Sequence, residues 1–238
     1  IRSLPARKWD PKTVRWIVPF AMRERLIKIG FQVPELQKKD DDLEEKCRTI
    51  SKKYNFLKHY QSYGVSWLLE KKRALLADDM GLGKTVQMIV MLNESRKLPA
   101  LVVCPASLKI NWVKEILKWS NLSCCMINGS AWTAESEDVV VVNYDIVGKH
   151  SSVIKKRKFK TIICDESHYI KNEKTKRSIA VTDIAASIEN FFAVSGTPIE
   201  NRPKEFYTTL RLIDVKQFSS FWRYAMRYCG ARNNGFGW

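Results

Sequence analysis

Glycine and proline are scarce in this chain, 10 and 8 among 238 residues, which excludes a collagen-like or low-complexity polypeptide. No apolar run approaches the roughly 18 residues that cross a bilayer, and the opening Ile-Arg-Ser-Leu-Pro lacks the apolar core of a signal peptide. The expectation is a soluble intracellular protein with no membrane partner, nuclear if eukaryotic and cytoplasmic if bacterial or viral. The six cysteines (Cys47, Cys104, Cys124, Cys125, Cys164, Cys229) form no C-x-x-C pair; Cys104, Cys124 and Cys164 stand in apolar runs, where a reduced thiol packs. Histidine is rare, and neither His59 nor His150 has a partner at metal-ligand spacing, so packing or surface exposure is expected of both. Acidic residues are outnumbered 25 to 41, leaving a net charge of +16, which makes a polyanion such as nucleic acid the first partner to consider. With 45% hydrophobic and 28% charged residues, disorder is excluded as a description of the whole chain, and the length favours one large α/β domain with an appendage. A chain that opens without Met and closes on Gly-Phe-Gly-Trp predicts further sequence on both sides.

Residues 1–48 differ from the remainder. They combine a basic stretch (Arg7, Lys8, Lys12, Arg15, Arg23, Arg25, Lys28), two tryptophans (Trp9, Trp16) and an acidic patch from Asp40 to Glu45, and read as a small basic module with an acidic linker; the patch itself suits a solvated turn or a helix start. From 49 to 238 the pattern alternates. Apolar runs at 74–77, 100–104, 124–127, 139–142, 161–164 and 191–194 predict buried strands. Between them lie helical patterns, as in Leu108, Trp112, Ile116 and Trp119, which fall on one helix face with Ser107 near its start. This alternation predicts an α/β fold, a mostly parallel sheet with helices on both faces, whose ligands sit at the carboxyl ends of the strands.

Two of the loops after those strands carry chemistry. Asp78-Asp79-Met80-Gly81-Leu82-Gly83-Lys84-Thr85 joins a strand to a helix. Glycines let backbone N–H groups turn toward a phosphate chain, a helix N-terminus adds positive potential, Lys84 reaches the β/γ-phosphates and Thr85 offers a hydroxyl to Mg²⁺. The strict G-x-x-x-x-G-K-[ST] pattern fails at its first position, here Asp78, and a plain glycine turn is the alternative. The second loop, Asp165-Glu166-Ser167-His168, sets two carboxylates at a strand end, so that Asp165 can hold the metal shell through water while Glu166 polarises the attacking water. A surface turn is the alternative here too, but the two loops together, about 80 residues apart across alternating strands and helices, point to an ATP site with Mg²⁺.

These residues resemble the superfamily-two helicase-like ATPases, and among them the Snf-type DNA translocases and chromatin remodellers, over about residues 54–230. The segment from Ala77 to Gln87 is similar to that family's motif I, which does not require the first glycine. Leu57-Lys58-His59-Tyr60-Gln61 looks like the adenine-reading segment, implying that Gln61 bonds the base; the ATP-binding residues would then be Gln61, Asp79, Met80, Gly81, Leu82, Gly83, Lys84 and Thr85, with Thr85 and Asp165 serving Mg²⁺. Cys104-Pro105-Ala106-Ser107-Leu108 resembles motif Ia and Val142-Asn143-Tyr144-Asp145 motif Ib, implying DNA-backbone contacts from Ser107, Lys109, Asn143 and Tyr144; taken singly, Ser107 also suits a helix cap and Tyr144 a core aromatic. Ser195-Gly196-Thr197-Pro198 resembles motif III, which implies coupling through Ser195, Gly196 and Thr197, and His168 would relay nucleotide state. Asp-Glu-x-His with Ser-Gly-Thr-Pro argues for duplex DNA over RNA.

The stretch from Asp165 to Asn172, the Arg202–Phe206 segment and Tyr224–Cys229 resemble the annealing-helicase, HARP-like branch, whose members remodel branched DNA. Trp9 and Trp16 suit either the end of a substrate-recognition module or a small aromatic core. The basic run 155–160 reads as solvated. The resemblance implies a RecA-like P-loop lobe with no second lobe in this sequence. In such motors the second lobe supplies an arginine finger worth about 10³ to 10⁵ in rate, so low activity is expected of the chain alone. Two other readings stay open: a nucleotide-gated DNA-binding scaffold without motor output, and the motor portion of a restriction or nuclease assembly.

Overall fold

The computed structural model describes residues 8–10, 15–17, 39–197 and 203–231. The side chains of the basic N-terminal stretch, Trp9 and Trp16 among them, lie outside the described residues, as do positions 198–202 with the end of the Ser-Gly-Thr-Pro segment. The chain divides into two compact units, 1–42 and 43–238. In the first, β1 (Lys8–Asp10) and β2 (Arg15–Ile17) pair antiparallel with Trp9 opposite Trp16.

The acidic patch opens helix α1 (Lys39–Lys53), where negative side chains meet the positive end of the helix dipole. Leu43, Cys47 and Ile50 then recur at helical spacing and are buried, while Asp41, Asp42 and Glu45 face solvent. There follow α2 (His59–Leu69), β3 (Arg73–Leu76), α3 (Lys84–Ser95), β4 (Ala100–Cys104), α4 (Lys109–Trp119), β5 (Cys124–Met126), β6 (Val139–Asn143), α5 (Ser151–Arg157), β7 (Thr161–Asp165), α6 (Lys176–Ala186), β8 (Asn190–Val194), α7 (Tyr207–Ile213) and α8 (Phe221–Tyr228).

All six predicted strands are present, and they form one parallel sheet in the order β3-β8-β7-β4-β6-β5. Each residue of β4, β6, β7 and β8 is buried, because helices cover both faces and leave no polar side for the pleat to expose. The period of two splits every strand between two cores. Val102, Cys104, Val141, Ile163 and Phe192 pack with Val65, Leu68, Met88, Ile89 and Trp112 on one face. Leu101, Val103, Val142, Ile162, Cys164 and Phe191 pack with Ile154, Val181, Ile184 and Leu212 on the other. The apolar stripe expected across 108–119 lies on the first face, with Trp112 and Ile116 fully buried and Leu108 and Trp119 half-buried against them. Among the described residues no helix is long and apolar enough to cross a membrane.

Candidate active site

Strand register brings the chemistry-bearing loops together. Leu76 of β3 pairs with Val194 of β8, and Val194 pairs with Asp165 of β7. On the far side Val103 of β4 pairs with Cys164, and Cys104 with Asn143 of β6. The segments after Leu76, Val194, Asp165, Cys104 and Asn143 therefore leave the sheet at one level, along its carboxyl edge.

The loop after β3 is held open by its glycines. Gly81 and Gly83 have φ of 80° and 74°, a region that side chains disfavour, and Gly83 caps the N-terminus of α3. A Cβ on Gly83 would fall 2.3 Å from the Gln61 Nε2, so α2 closes on the loop only because nothing projects there. The Gln61 Nε2 donates to the Leu82 carbonyl at 3.1 Å while its Oε1 accepts from the Lys58 N–H at 2.9 Å, which docks the expected adenine reader beneath the loop. Lys84 donates its ammonium to the carbonyls of Asp78 and Asp79 at 2.8 and 2.9 Å. Met80 and Leu82 are exposed, and Thr85 is half-buried in the first turn of α3. Asp78, the departure from the generic pattern, accepts from the Gln87 Nε2 at 2.8 Å and so ties the start of the loop to α3, a bond that a glycine could not make.

Asp165 is the most constrained carboxylate of the site, being 7% exposed. One oxygen accepts from the Trp112 indole N–H at 2.8 Å and the other from the Glu166 backbone N–H at 2.9 Å. Burial pushes its pKa above the ordinary carboxylate value, against the pull of those two donors and of the Lys84 charge. Glu166 has a left-handed backbone, φ 48° and ψ 57°, at the strand end. This turn separates the two adjacent carboxylates: Asp165 is buried, whereas Glu166 is half-exposed with an oxygen 3.3 Å from His168 Nδ1. The loop after β8 leans on the first. The Ser195 N–H donates to the Leu76 carbonyl, the Thr197 N–H donates to the Ser195 hydroxyl, and a Cβ on Gly196 would stand 2.7 Å from Met80 Cγ and 3.2 Å from Lys84 Nζ.

The four expected DNA contacts divide. Ser107 is exposed in the 3₁₀ turn before α4. Lys109 is 8% exposed; its ammonium turns inward to the Ile127 carbonyl at 3.0 Å and Asn128 Oδ1 at 2.7 Å, because a buried charge must find acceptors. Asn143 is buried beside Asp145, and Tyr144, 1% exposed, donates its hydroxyl to the Asp165 carbonyl at 2.7 Å. Three cations that sequence reasoning did not single out lie next to them. Lys149, Lys176 and Arg177 line, with Tyr144 and Asp145, a cleft of about 540 Å³, and Arg177 covers the ring of Tyr169, which stacks on Tyr144. The signal for Lys176 and Arg177 was the helix cap Thr175 just before them; Trp112 offered none, since its bond to Asp165 spans 53 residues.

The residues fit a magnesium nucleotide. Gly83 and Gly196, by carrying no Cβ, let Gln61 and the Lys84 ammonium sit close against the loop, and the polar groups gathered there are one hydroxyl, one buried carboxylate and one ammonium. Among the described residues no group of three or more His, Cys, Asp or Glu could hold a metal by itself; Mg²⁺ needs none, since it takes one or two carboxylates together with phosphate oxygens and water.

A family model described as the SNF2-related domain matches residues 60–229. The SWI/SNF-related matrix-associated actin-dependent regulator of chromatin subfamily A-like protein 1 homolog of Caenorhabditis elegans is 36% identical over 185 residues, 74% of this chain and 27% of that protein. The DNA annealing helicase and endonuclease ZRANB3 of Bos taurus is 30% identical over 190 residues, 75% of this chain and 18% of its own length. Among solved structures, the Sulfolobus solfataricus SWI2/SNF2 ATPase core in complex with dsDNA superposes with a TM-score of 0.65 at 28% identity, covering 72% of this chain and 38% of that one. The chain thus spans about a quarter or less of the length of these two relatives.

Proposed function

The chain belongs to the SNF2-related domain family, and on that premise we propose that it is the first RecA-like lobe of an ATP-dependent DNA translocase, of the kind that remodels or anneals branched DNA. The observation that carries this reading is the common level of Leu76, Asp165 and Val194, which sets the phosphate loop, the carboxylate pair and the Ser-Gly-Thr loop side by side.

In this reading Lys84 exchanges the carbonyls of Asp78 and Asp79 for the β/γ-phosphates, and the backbone N–H groups at the start of α3 hold the rest of the chain of phosphates. Gln61 turns its amide to the base. Thr85 and, through water, Asp165 hold Mg²⁺, which neutralises charge on the phosphates when bound. Glu166 takes the proton of the attacking water, and His168, beside its carboxylate, carries the nucleotide state onward. Ser195, Gly196 and Thr197 sense the occupancy of Lys84 through Gly196, on which a Cβ would stand 3.2 Å from the Lys84 Nζ. We assign the DNA-backbone contact to Ser107 and to Lys149, Lys176 and Arg177, with Lys109, Asn143 and Tyr144 bracing their loops from inside. A second lobe completes the site with an arginine, so this chain alone binds nucleotide weakly and hydrolyses it slowly. The setting is the nucleus in a eukaryote.

The test is ATP hydrolysis by the full-length protein with single-stranded, duplex and forked DNA, comparing wild type with Lys84→Ala and Glu166→Gln. Duplex or forked DNA should stimulate the wild type. Glu166→Gln should lower the stimulated rate about 10² to 10⁴-fold while nucleotide binding persists, and Lys84→Ala should lose both. Hydrolysis indifferent to all three DNAs would remove the translocase and leave a nucleotide-gated scaffold.

A further inference from the structure

Asp165 owes part of its orientation to a residue outside every loop assigned above to the nucleotide. Its two carboxylate oxygens are engaged on different sides: the Glu166 N–H comes from its own strand end, whereas the Trp112 N–H comes from α4. Trp112 is 1% exposed and packs in the first core beside Met88 and Ile89 of α3, the helix that begins with Lys84 and Thr85. An indole in that position cannot turn without displacing packed side chains, so its single donor points in one direction. A carboxylate held this way keeps its remaining lone pairs directed, and a partner that orients a metal-holding group commonly sets the metal's affinity.

We propose that Trp112 is a positioning residue for Mg²⁺, setting the Asp165 carboxylate that holds the ion's water shell. The inference rests on the nucleotide-site reading above. It also gives α4 a double task, since the same helix begins at the turn that exposes Ser107, and one rigid element then links the DNA-facing loop to the metal-holding carboxylate.

Trp112→Phe keeps an aromatic ring in the core and deletes the donor. The experiment titrates Mg²⁺ against methylanthraniloyl-ADP bound to the full-length protein, follows the anisotropy of the nucleotide, and repeats the titration in EDTA. The Mg²⁺ concentration for half-maximal tightening should rise about 10- to 100-fold in the variant, with affinity in EDTA within about twofold of wild type. In an Asp165→Asn background the same substitution should shift the Mg²⁺ midpoint no further, since the group it positions is gone. An unchanged Mg²⁺ midpoint in Trp112→Phe overturns the proposal, and so does an equal shift in the Asp165→Asn background. Should Trp112→Phe fail to fold, benzothienylalanine at position 112 decides, because its sulfur replaces the indole N–H at nearly constant shape. A raised Mg²⁺ midpoint there sustains the proposal and a wild-type midpoint overturns it. If wild type itself binds nucleotide no better in Mg²⁺ than in EDTA, the nucleotide-site reading fails first, which separates that failure from the failure of Trp112.

Discussion

Glu94 and Asp165 are both partly desolvated carboxylates whose partners favour ionisation, yet their pKa values move in opposite directions. For Glu94, burial opposes ionisation, but hydrogen bonds from Lys53 and from the Tyr54 hydroxyl outweigh it and hold the carboxyl below its ordinary value of 4.5. For Asp165 the burial is deeper and wins over its two donors. Cys104 and Cys164 show desolvation with little to oppose it: burial raises both thiols, Cys104 to about 12, so they stay protonated and inert as their apolar strands predicted. Glu94 permits a pH prediction. Since its pKa is lower folded than unfolded, its ionised form stabilises the fold above about pH 4.5, and that contribution fades as pH falls through the folded value. Glu94→Gln should therefore cost about 1–2 kcal/mol in urea unfolding at neutral pH, where the carboxylate accepts charge-assisted hydrogen bonds. The gap should hold down to about pH 4.5 and narrow below it; a gap that stays constant across the acid limb would refute the assignment.

Among the elements, the edge strand β3 is the least enclosed of those that carry the site, with only Ala74 and Leu76 buried. What holds it is Arg73, whose guanidinium donates to the Leu212 carbonyl near the end of α7 and to the Ala185 and Ile188 carbonyls at the end of α6, and covers the ring of Phe191. Burial lowers the arginine's pKa, yet three carbonyl acceptors satisfy the charge. Arg73→Leu would leave those carbonyls unpaired and should lower stability by about 2–4 kcal/mol. Arg73→Lys should recover only part of it, because a single ammonium cannot span the three acceptors. Chemical unfolding of the two variants measures this; equal stability of Arg73→Leu and wild type would show that packing alone secures the strand. The apolar run 74–77 announced the strand, whereas the clamp joins residues 112 to 139 positions apart and had no local mark.

At the scale of the whole molecule, the net charge of +16 is spread over many roles. Lys46, Lys53, Lys72 and Lys155 pair with carboxylates on the surface, and Lys109 is turned inside to two acceptors. The basic run 155–160, expected as a solvated stretch, closes α5 with Lys155 on Asp183 and Arg157 on the Glu137 carbonyl. The cleft of Lys149, Lys176 and Arg177 is where positive charge gathers around Tyr144. If it seats DNA, replacing all three by Ala should reduce the slope of log affinity against log salt for duplex binding by about 2 to 3, at roughly 0.9 for each phosphate no longer neutralised. Fluorescence anisotropy with one duplex at several salt concentrations reads this directly. An unchanged slope would move the DNA path off this cleft.

The sequence by itself determined the six strands, helical patterns between them and the residues of the two loops we propose to face phosphate. A strand buried on both faces must be an apolar run, and a phosphate loop must keep its glycines, lysine and threonine adjacent; both demands are local and leave a local mark. Tertiary structure alone decided the strand order, and with it the level at which Leu76, Asp165 and Val194 end. It also decided that Gln87 secures Asp78, that Trp112 holds Asp165, and that Lys109 and Tyr144 face inward. Apolar runs of similar composition carry no label for their neighbours. Which side chains can meet across the sheet is settled only when the helices cover both its faces, and the polar groups caught beneath them must then find partners there.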